Sequence, residues 1–208
     1  MNRKGIIIVV SGFSGVGKGT IMRSLISKYD QYALSISATT RSPRPGEENG
    51  REYFFVSNEE FEKLIDEDGL IEYAGYVDHY YGTPRKFVED KLNSGIDVIL
   101  EIELQGALQI KKQYKDAMLL FVMPPSATEL EKRLRGRGTE PEEVVLKRLQ
   151  RAGEEAVGIE EYDYIVINDD LEECVERVHG IINAAHMTSS RNQEFIDTIR
   201  NELKDLVK

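Results

Sequence analysis

Cysteine, cationic charge and long apolar runs are what this chain has little of, and each shortage narrows what it can be. The one cysteine, Cys174, excludes an internal disulfide. It sits in Leu171-Glu172-Glu173-Cys174-Val175, an amphipathic helical pattern. A small core-facing residue is expected there rather than a reactive thiol. Lysine and arginine number 27 against 37 aspartates and glutamates, for a net charge of −10. General nucleic-acid binding needs a basic face, so cations used on phosphate must be gathered locally. No run of 18 apolar residues offers a membrane-spanning helix. Internal repeats and low-complexity tracts are missing too. A strand pattern starting at residue 6 leaves no room ahead of it for a signal peptide, and a reducing cytoplasm is the expected location. The 208 residues, 40% hydrophobic and 31% charged, suit one α/β core with inserted lobes.

What is present starts with Gly12-Phe13-Ser14-Gly15-Val16-Gly17-Lys18-Gly19-Thr20. It follows the apolar β-branched run 6–10 and opens onto Ile21-Met22-Arg23-Ser24-Leu25-Ile26, which has helical character. Strand, glycine-rich turn and helix form the context of a phosphate-binding loop. Glycines let successive N–H groups turn inward on an anion, the helix adds its positive end, and Lys18 supplies a mobile charge. The match to G-x-x-x-x-G-K-[ST] has one flaw: Gly19 stands where serine or threonine is expected, and Thr20 comes one residue late. The bland alternative, a ligand-free turn, gives four glycines and a lysine at this spacing no purpose. The loop predicts a nucleoside triphosphate site.

Strand-like runs at 97–102, 117–122 and 164–167 repeat the continuous apolar pattern of 6–10, the kind buried on both faces of a parallel sheet. Helical patterns intervene: one from Pro84 through Leu92, one over 105–114, and one announced by the capping box Ser126-Ala127-Thr128-Glu129. The expected fold is α/β, a phosphate-loop NTPase-type parallel sheet flanked by helices. Between 35 and 81 the rhythm breaks. Short strand patterns at 35–37, 53–56 and 70–73 surround a helix capped by Ser57-Asn58-Glu59-Glu60, predicting a small mixed or antiparallel lobe inserted in the core. A lid is expected at about 133–155, where an Arg- and Gly-rich stretch precedes a helix with Thr139 as N-cap and Pro141 in its first turn. Core residues are then 4–34, 82–132 and 156–186. The tail, 187–208, carries Ile196, Ile199, Leu203 and Leu206 or Val207 at helical spacing. That stripe packs on its own domain or contacts a partner.

Thr39-Thr40-Arg41-Ser42-Pro43-Arg44-Pro45-Gly46-Glu47 holds two arginines in a proline-stiffened loop. Pre-organised guanidinium forks suit phosphate, although a solvated basic loop is the alternative reading. The tyrosines of Gly50-Arg51-Glu52-Tyr53-Phe54 and His79-Tyr80-Tyr81-Gly82-Thr83-Pro84 read as structural on spacing alone. His79, His179 and His186 read as structural or surface residues.

Taken in order, Ser37-Ala38-Thr39-Thr40-Arg41-Ser42-Pro43-Arg44, Gly50-Arg51-Glu52-Tyr53, Tyr80-Tyr81-Gly82-Thr83, Glu101-Ile102-Glu103-Leu104-Gln105-Gly106 and Arg135-Gly136-Arg137-Gly138-Thr139 follow the glycine loop. This series resembles guanylate kinase, ATP:GMP phosphotransferase, over residues 4–186. The resemblance implies an ATP site at Gly12, Phe13, Ser14, Gly15, Val16, Gly17, Lys18, Gly19 and Thr20, with Arg133, Arg137 and Asn168. It implies GMP phosphate at Arg41, Arg44, Tyr53 and Tyr81, and guanine at Ser37, Glu72 and Thr83, with Glu101 and Glu103 as an acidic pair beside base and metal. Lys18, Arg41, Arg137 and Arg148 are implied as the catalytic charges. Mg²⁺ enters as cofactor on the ATP phosphates, with Thr20 as an optional protein ligand. The implied partners are ATP and GMP or dGMP, with no nucleic acid or membrane; a homodimer stays open. Two departures stand out: Phe13 replaces the small residue or proline usual in the loop, and Glu103 replaces the family's usual aspartate. The alternatives are a non-catalytic guanylate-kinase-like binding module, which the intact loop disfavours, and a kinase for another nucleoside monophosphate.

Overall fold

The computed structural model describes residues 4–76, 78–136 and 141–207. Its centre is a five-stranded, wholly parallel sheet in the order β2-β7-β1-β8-β9. These strands are β1 (Ile7–Gly12), β2 (Tyr32–Leu34), β7 (Asp97–Leu100), β8 (Met118–Met123) and β9 (Tyr164–Ile167). The three inner strands are apolar and buried on both faces because helices cover both. Those helices are α1 (Lys18–Lys28), α3 (Arg85–Asn93), α4 (Leu104–Gln113), α5 (Ala127–Gly136), α6 (Glu142–Glu155) and α7 (Leu171–His186). On α7 the buried residues are Cys174, Val175, Val178 and Ile182, the spacing of one helical face; α1 packs against it. Cys174 is a core residue, and burial pushes its thiol up to about 11. Asp170 caps α7 by accepting from Glu173 N.

A second, four-stranded sheet runs β4-β3-β6-β5. Here β3 (Ala38–Thr39) pairs parallel with β4 (Phe54–Phe55) and antiparallel with β6 (His79–Pro84), and β5 (Leu70–Tyr76) pairs antiparallel with β6. Helix α2 (Asn58–Asp66) starts with a complete capping box between Ser57 and Glu60. Its Phe61 joins Ala38 and Leu70 in a core separate from that of the parallel sheet. The second sheet docks on α4, where Gln113 Nε2 donates to Ile71 O at 2.7 Å, and Ile71 belongs to the main core. Topology thus sets a small sheet beside the carboxyl ends of the large one, the crevice where ligands bind in open α/β sheets.

Several expectations change. Residues 164–167 were expected to be buried on both faces. They form the edge strand β9, with Ile165 and Ile167 each 45% exposed, because among the described residues no strand lies beyond them. The three-residue β2 escaped the sequence reading because it is too short to show a period. The alternation at 35–37 precedes the strand rather than forming it, since β3 starts at Ala38. Helix α6 has Pro141 at its N-cap, not in its first turn; Thr139 lies outside the described residues. The tail helix α8 (Gln193–Leu206) buries no residue at all, so its stripe does not pack into the domain's core. Its root is fixed by Arg191, which donates to Lys4 O and Gly5 O.

Candidate active site

Strand β1 ends in a loop whose shape only glycine allows. Gly12, Gly15 and Gly17 have φ of 148°, 86° and 99°. A Cβ on Gly12 would lie 2.4 Å from Val122 O. Gly17 is the left-handed N-cap of α1, so the loop delivers its backbone straight to the helix's positive end. Phe13 turns inward and meets Phe121 edge-on at 5.1 Å, which makes it a packing residue.

Lys18 folds over this loop and donates through Nζ to Gly12 O at 2.5 Å and Phe13 O at 3.2 Å. Burial pushes its ammonium below the ordinary lysine range, while Glu155, Glu101 and Glu103 pull it back up. Glu101, at the carboxyl end of β7, is pushed up by its own burial, with Lys18 and Arg23 opposing. A pocket of about 430 Å³ opens beside the loop, lined by Gly15, Gly17, Thr20, Arg133, Asn168 and Leu171 among others. Asn168, just after β9, donates through Nδ2 to Val16 O at 2.8 Å. Arg133 on α5 reaches Asn168 O at 3.0 Å and is braced by Glu129 at 2.9 Å. On α6, Arg148 Nη1 donates to Ser14 Oγ at 3.3 Å. Gly19 and Thr20 begin α1, and Arg23 donates to Thr20 Oγ1 at 3.3 Å. Arg137 lies outside the described residues.

A second cluster forms on the small sheet. The guanidinium of Arg41 lies over the rings of Tyr53 (5.3 Å) and Phe55 (5.7 Å). It pairs with Glu47 at 2.9 Å and hydrogen-bonds Tyr81. Tyr53 and Tyr81 meet edge-on at 6.0 Å. Glu47 also accepts from Arg44 N, closing the loop that carries both arginines. Deeper in, Thr83 Oγ1 donates to Glu72 Oε1 at 2.6 Å, both residues being buried. Burial pushes the Glu72 carboxyl up, and the bonds from Thr83 partly offset it. Gly106 at the start of α4 backs this carboxylate: a Cβ there would come 2.8 Å from Glu72 Oε2. Ser37 stands one step beyond the Ala38↔Gly82 pair, on the side of Thr83.

The described residues implied for ATP thus gather around the large sheet, and Ser37, Arg41, Arg44, Tyr53, Glu72, Tyr81 and Thr83 around the small one, while Glu101 and Glu103, also implied on the GMP side, follow β7 of the large sheet. Glu103 behaves differently from Glu101: it is the N-cap residue of α4 and is paired with Arg151 on α6. Sequence reasoning missed Arg151, Glu155, Glu47 and Gly106. The i,i+4 spacing of Arg151 and Glu155 was a readable signal; nothing in the sequence pointed Arg151 at Glu103.

The family model described as guanylate kinase matches residues 4–185. The guanylate kinase of Caldanaerobacter subterraneus subsp. tengcongensis is 48% identical over 202 residues, 97% of this chain and 98% of the relative. That of Streptococcus thermophilus is 50% identical over 206 residues, 99% and 97% of the two chains. The crystal structure of guanylate kinase from Anaplasma phagocytophilum has a TM-score of 0.73 at 34% identity, covering 91% of this chain and 90% of that one.

Proposed function

The chain belongs to the guanylate kinase family, and from that premise we propose which of its residues carry the terminal phosphoryl group of ATP to GMP. It is an enzyme, a nucleoside monophosphate kinase that forms ADP and GDP. The amides of residues 12–20 and the start of α1 hold the triphosphate. Lys18 exchanges its loop carbonyls for the outer phosphates. Asn168 and Arg133 border the adenosine.

On the acceptor side Arg41, Arg44, Tyr53 and Tyr81 hold the phosphate of GMP. Glu72 accepts the N1–H and N2–H of guanine, with Thr83 and Ser37 beside it. Adenine would present a lone pair at N1 to that carboxylate, and a buried polar site of this kind discriminates by about 10⁴. The same contacts are available to dGMP. Transfer is direct and in line. The protein's work is to position two anions and neutralise their charge, which Lys18, Arg41, Arg137 and Arg148 do; Glu101 and Glu103 complete the site's acidic side.

Among the described residues no group of three acidic, histidine or cysteine side chains can cage a metal, whereas Thr20 is one of the residues lining the pocket beside the loop. That donor set fits Mg²⁺ carried in on the phosphates, with Thr20 as its protein oxygen. Once bound, the ion draws charge off the phosphate oxygens. We assign the enzyme to the cytoplasm, a compartment that suits an unpaired buried cysteine.

The loop carries this reading: three glycines in left-handed or related conformations deliver a half-buried lysine to a helix N-terminus. Lys18→Ala is expected to cut turnover by on the order of 10²–10³-fold or more while circular dichroism stays native. A variant with wild-type turnover removes the loop from the reaction.

A further inference from the structure

Beside the donor loop runs a chain of three charged side chains, Glu103, Arg151 and Glu155, two of which, Arg151 and Glu155, the reading above leaves without a role. Arg151 donates through Nη2 to Glu103 and through Nε to Glu155 Oε1, 3.1 Å away and one turn further along α6. The other oxygen of that carboxylate, Glu155 Oε2, is buried with no hydrogen-bond partner among the described residues. Among the charges acting on Lys18, Glu155 ranks first, with Glu101 and Glu103 after it and Arg151 opposing. One turn before Arg151, Arg148 reaches Ser14 in the phosphate loop. Residues 148, 151 and 155 share one face of α6, and that face touches the donor loop at one point and Glu103 at another.

The exposures bear on what this chain of charges does. The Arg151 and Glu103 side chains are 34% and 68% exposed. Ion pairs at that exposure add only about 0–1 kcal/mol to stability, too little to make the network a structural strut. It does make the position of α6 depend on what Glu103 is bound to. Resting on the site reading above, we propose that Arg151 is a positioning residue that couples the two nucleotide sites. A GMP whose hydrogen-bond donors engage Glu103 releases Arg151. Helix α6 is then free to bring Arg148, already on Ser14 of the loop, toward the phosphates of ATP. By linkage, ATP drawing on the same helix frees Glu103 for GMP, so each nucleotide tightens the other's binding by one common factor.

Calorimetry on the full chain reads that factor: the Kd of GMP alone against its Kd in the presence of a saturating non-hydrolysable ATP analogue with Mg²⁺. The wild type is expected to show a tightening of about two- to fivefold, within what an ion pair at that exposure can transmit. Arg151→Met is expected to bring the factor to about one while leaving each separate affinity within about threefold, and Arg151→Lys to restore part of it. A merely structural role would weaken both affinities and leave their ratio alone. If Arg151→Met does not fold, Glu103→Gln breaks the same pair from the other side and is expected to reduce the factor too. A wild-type factor in whichever variant folds, or a factor of one in the wild type, overturns the proposal and spares the site reading. Absence of any heat with either nucleotide in the wild type overturns the site reading itself.

Discussion

Glu72 is asked to be charged in a place that resists charge. Its carboxylate is buried, and burial holds its pKa above the ordinary carboxylate value. Ionising it therefore costs more in the folded protein than in the unfolded chain. That loss of stability is full above the raised folded pKa, shrinks as pH falls through it and the group protonates, and is gone below the unfolded pKa. Glu72→Gln is accordingly expected to melt higher than the wild type at neutral pH, with the difference shrinking toward acid, while the KM for GMP rises about tenfold or more because one charge-assisted acceptor is gone. Calorimetric melting at two pH values and steady-state kinetics check both halves; a lower melting temperature with unchanged KM contradicts them. At this scale the sequence was informative about residue type and poor about partners. Arg41 was legible as part of a proline-stiffened loop, but its packing over Tyr53 and Phe55 depends on two strands brought into register by the fold. Glu103 was legible as an acid, and its pairing with Arg151, 48 positions away, left no local trace.

Elements were legible where they are long or punctuated. The runs that became β1, β7 and β8 were plain because strands buried on both faces are predominantly apolar, Asp97 and Ser11 being the buried polar exceptions, and α2 was announced by a capping box that the structure completes atom for atom. Failures came where the local pattern carries no information about neighbours. β9 has the same β-branched composition as the inner strands, and only its place at the sheet edge makes it exposed. β2 has three residues and forms because β7 offers it a ladder. The phosphate loop is the element whose sequence and geometry agree most closely. Gly12 has a positive φ and a carbonyl 2.4 Å from where a side chain would start. Gly12→Ala is thus expected to cost about 1–3 kcal/mol from backbone strain alone, with further loss from the collision with Val122, read as a drop in the urea midpoint. An unchanged midpoint would mean that the loop can relax.

For the whole molecule, the two sheets divide the labour: the large one presents the donor loop at its carboxyl edge, and the small one carries the arginine-tyrosine cluster and Glu72. The tail stands apart. Of its stripe, Ile199, Leu203, Leu206 and Val207 are exposed and only Ile196 is half-buried, so a single copy gains little from the stripe. Leu203→Ser is expected to change stability by no more than about 0.5 kcal/mol, as at an ordinary surface site. A loss that grows with protein concentration would instead place a second copy of the chain on that face. The central claim is that a carboxylate facing the hydrogen-donating edge of a purine selects the acceptor while the glycine loop holds ATP. Release of ADP, followed by a coupled assay with GMP, AMP, UMP and CMP at equal concentration, tests it most directly. Turnover with GMP, and rates with the other three lower by about 10⁴, is the predicted result; comparable rates with AMP or a pyrimidine nucleotide, or no turnover with GMP, would contradict it.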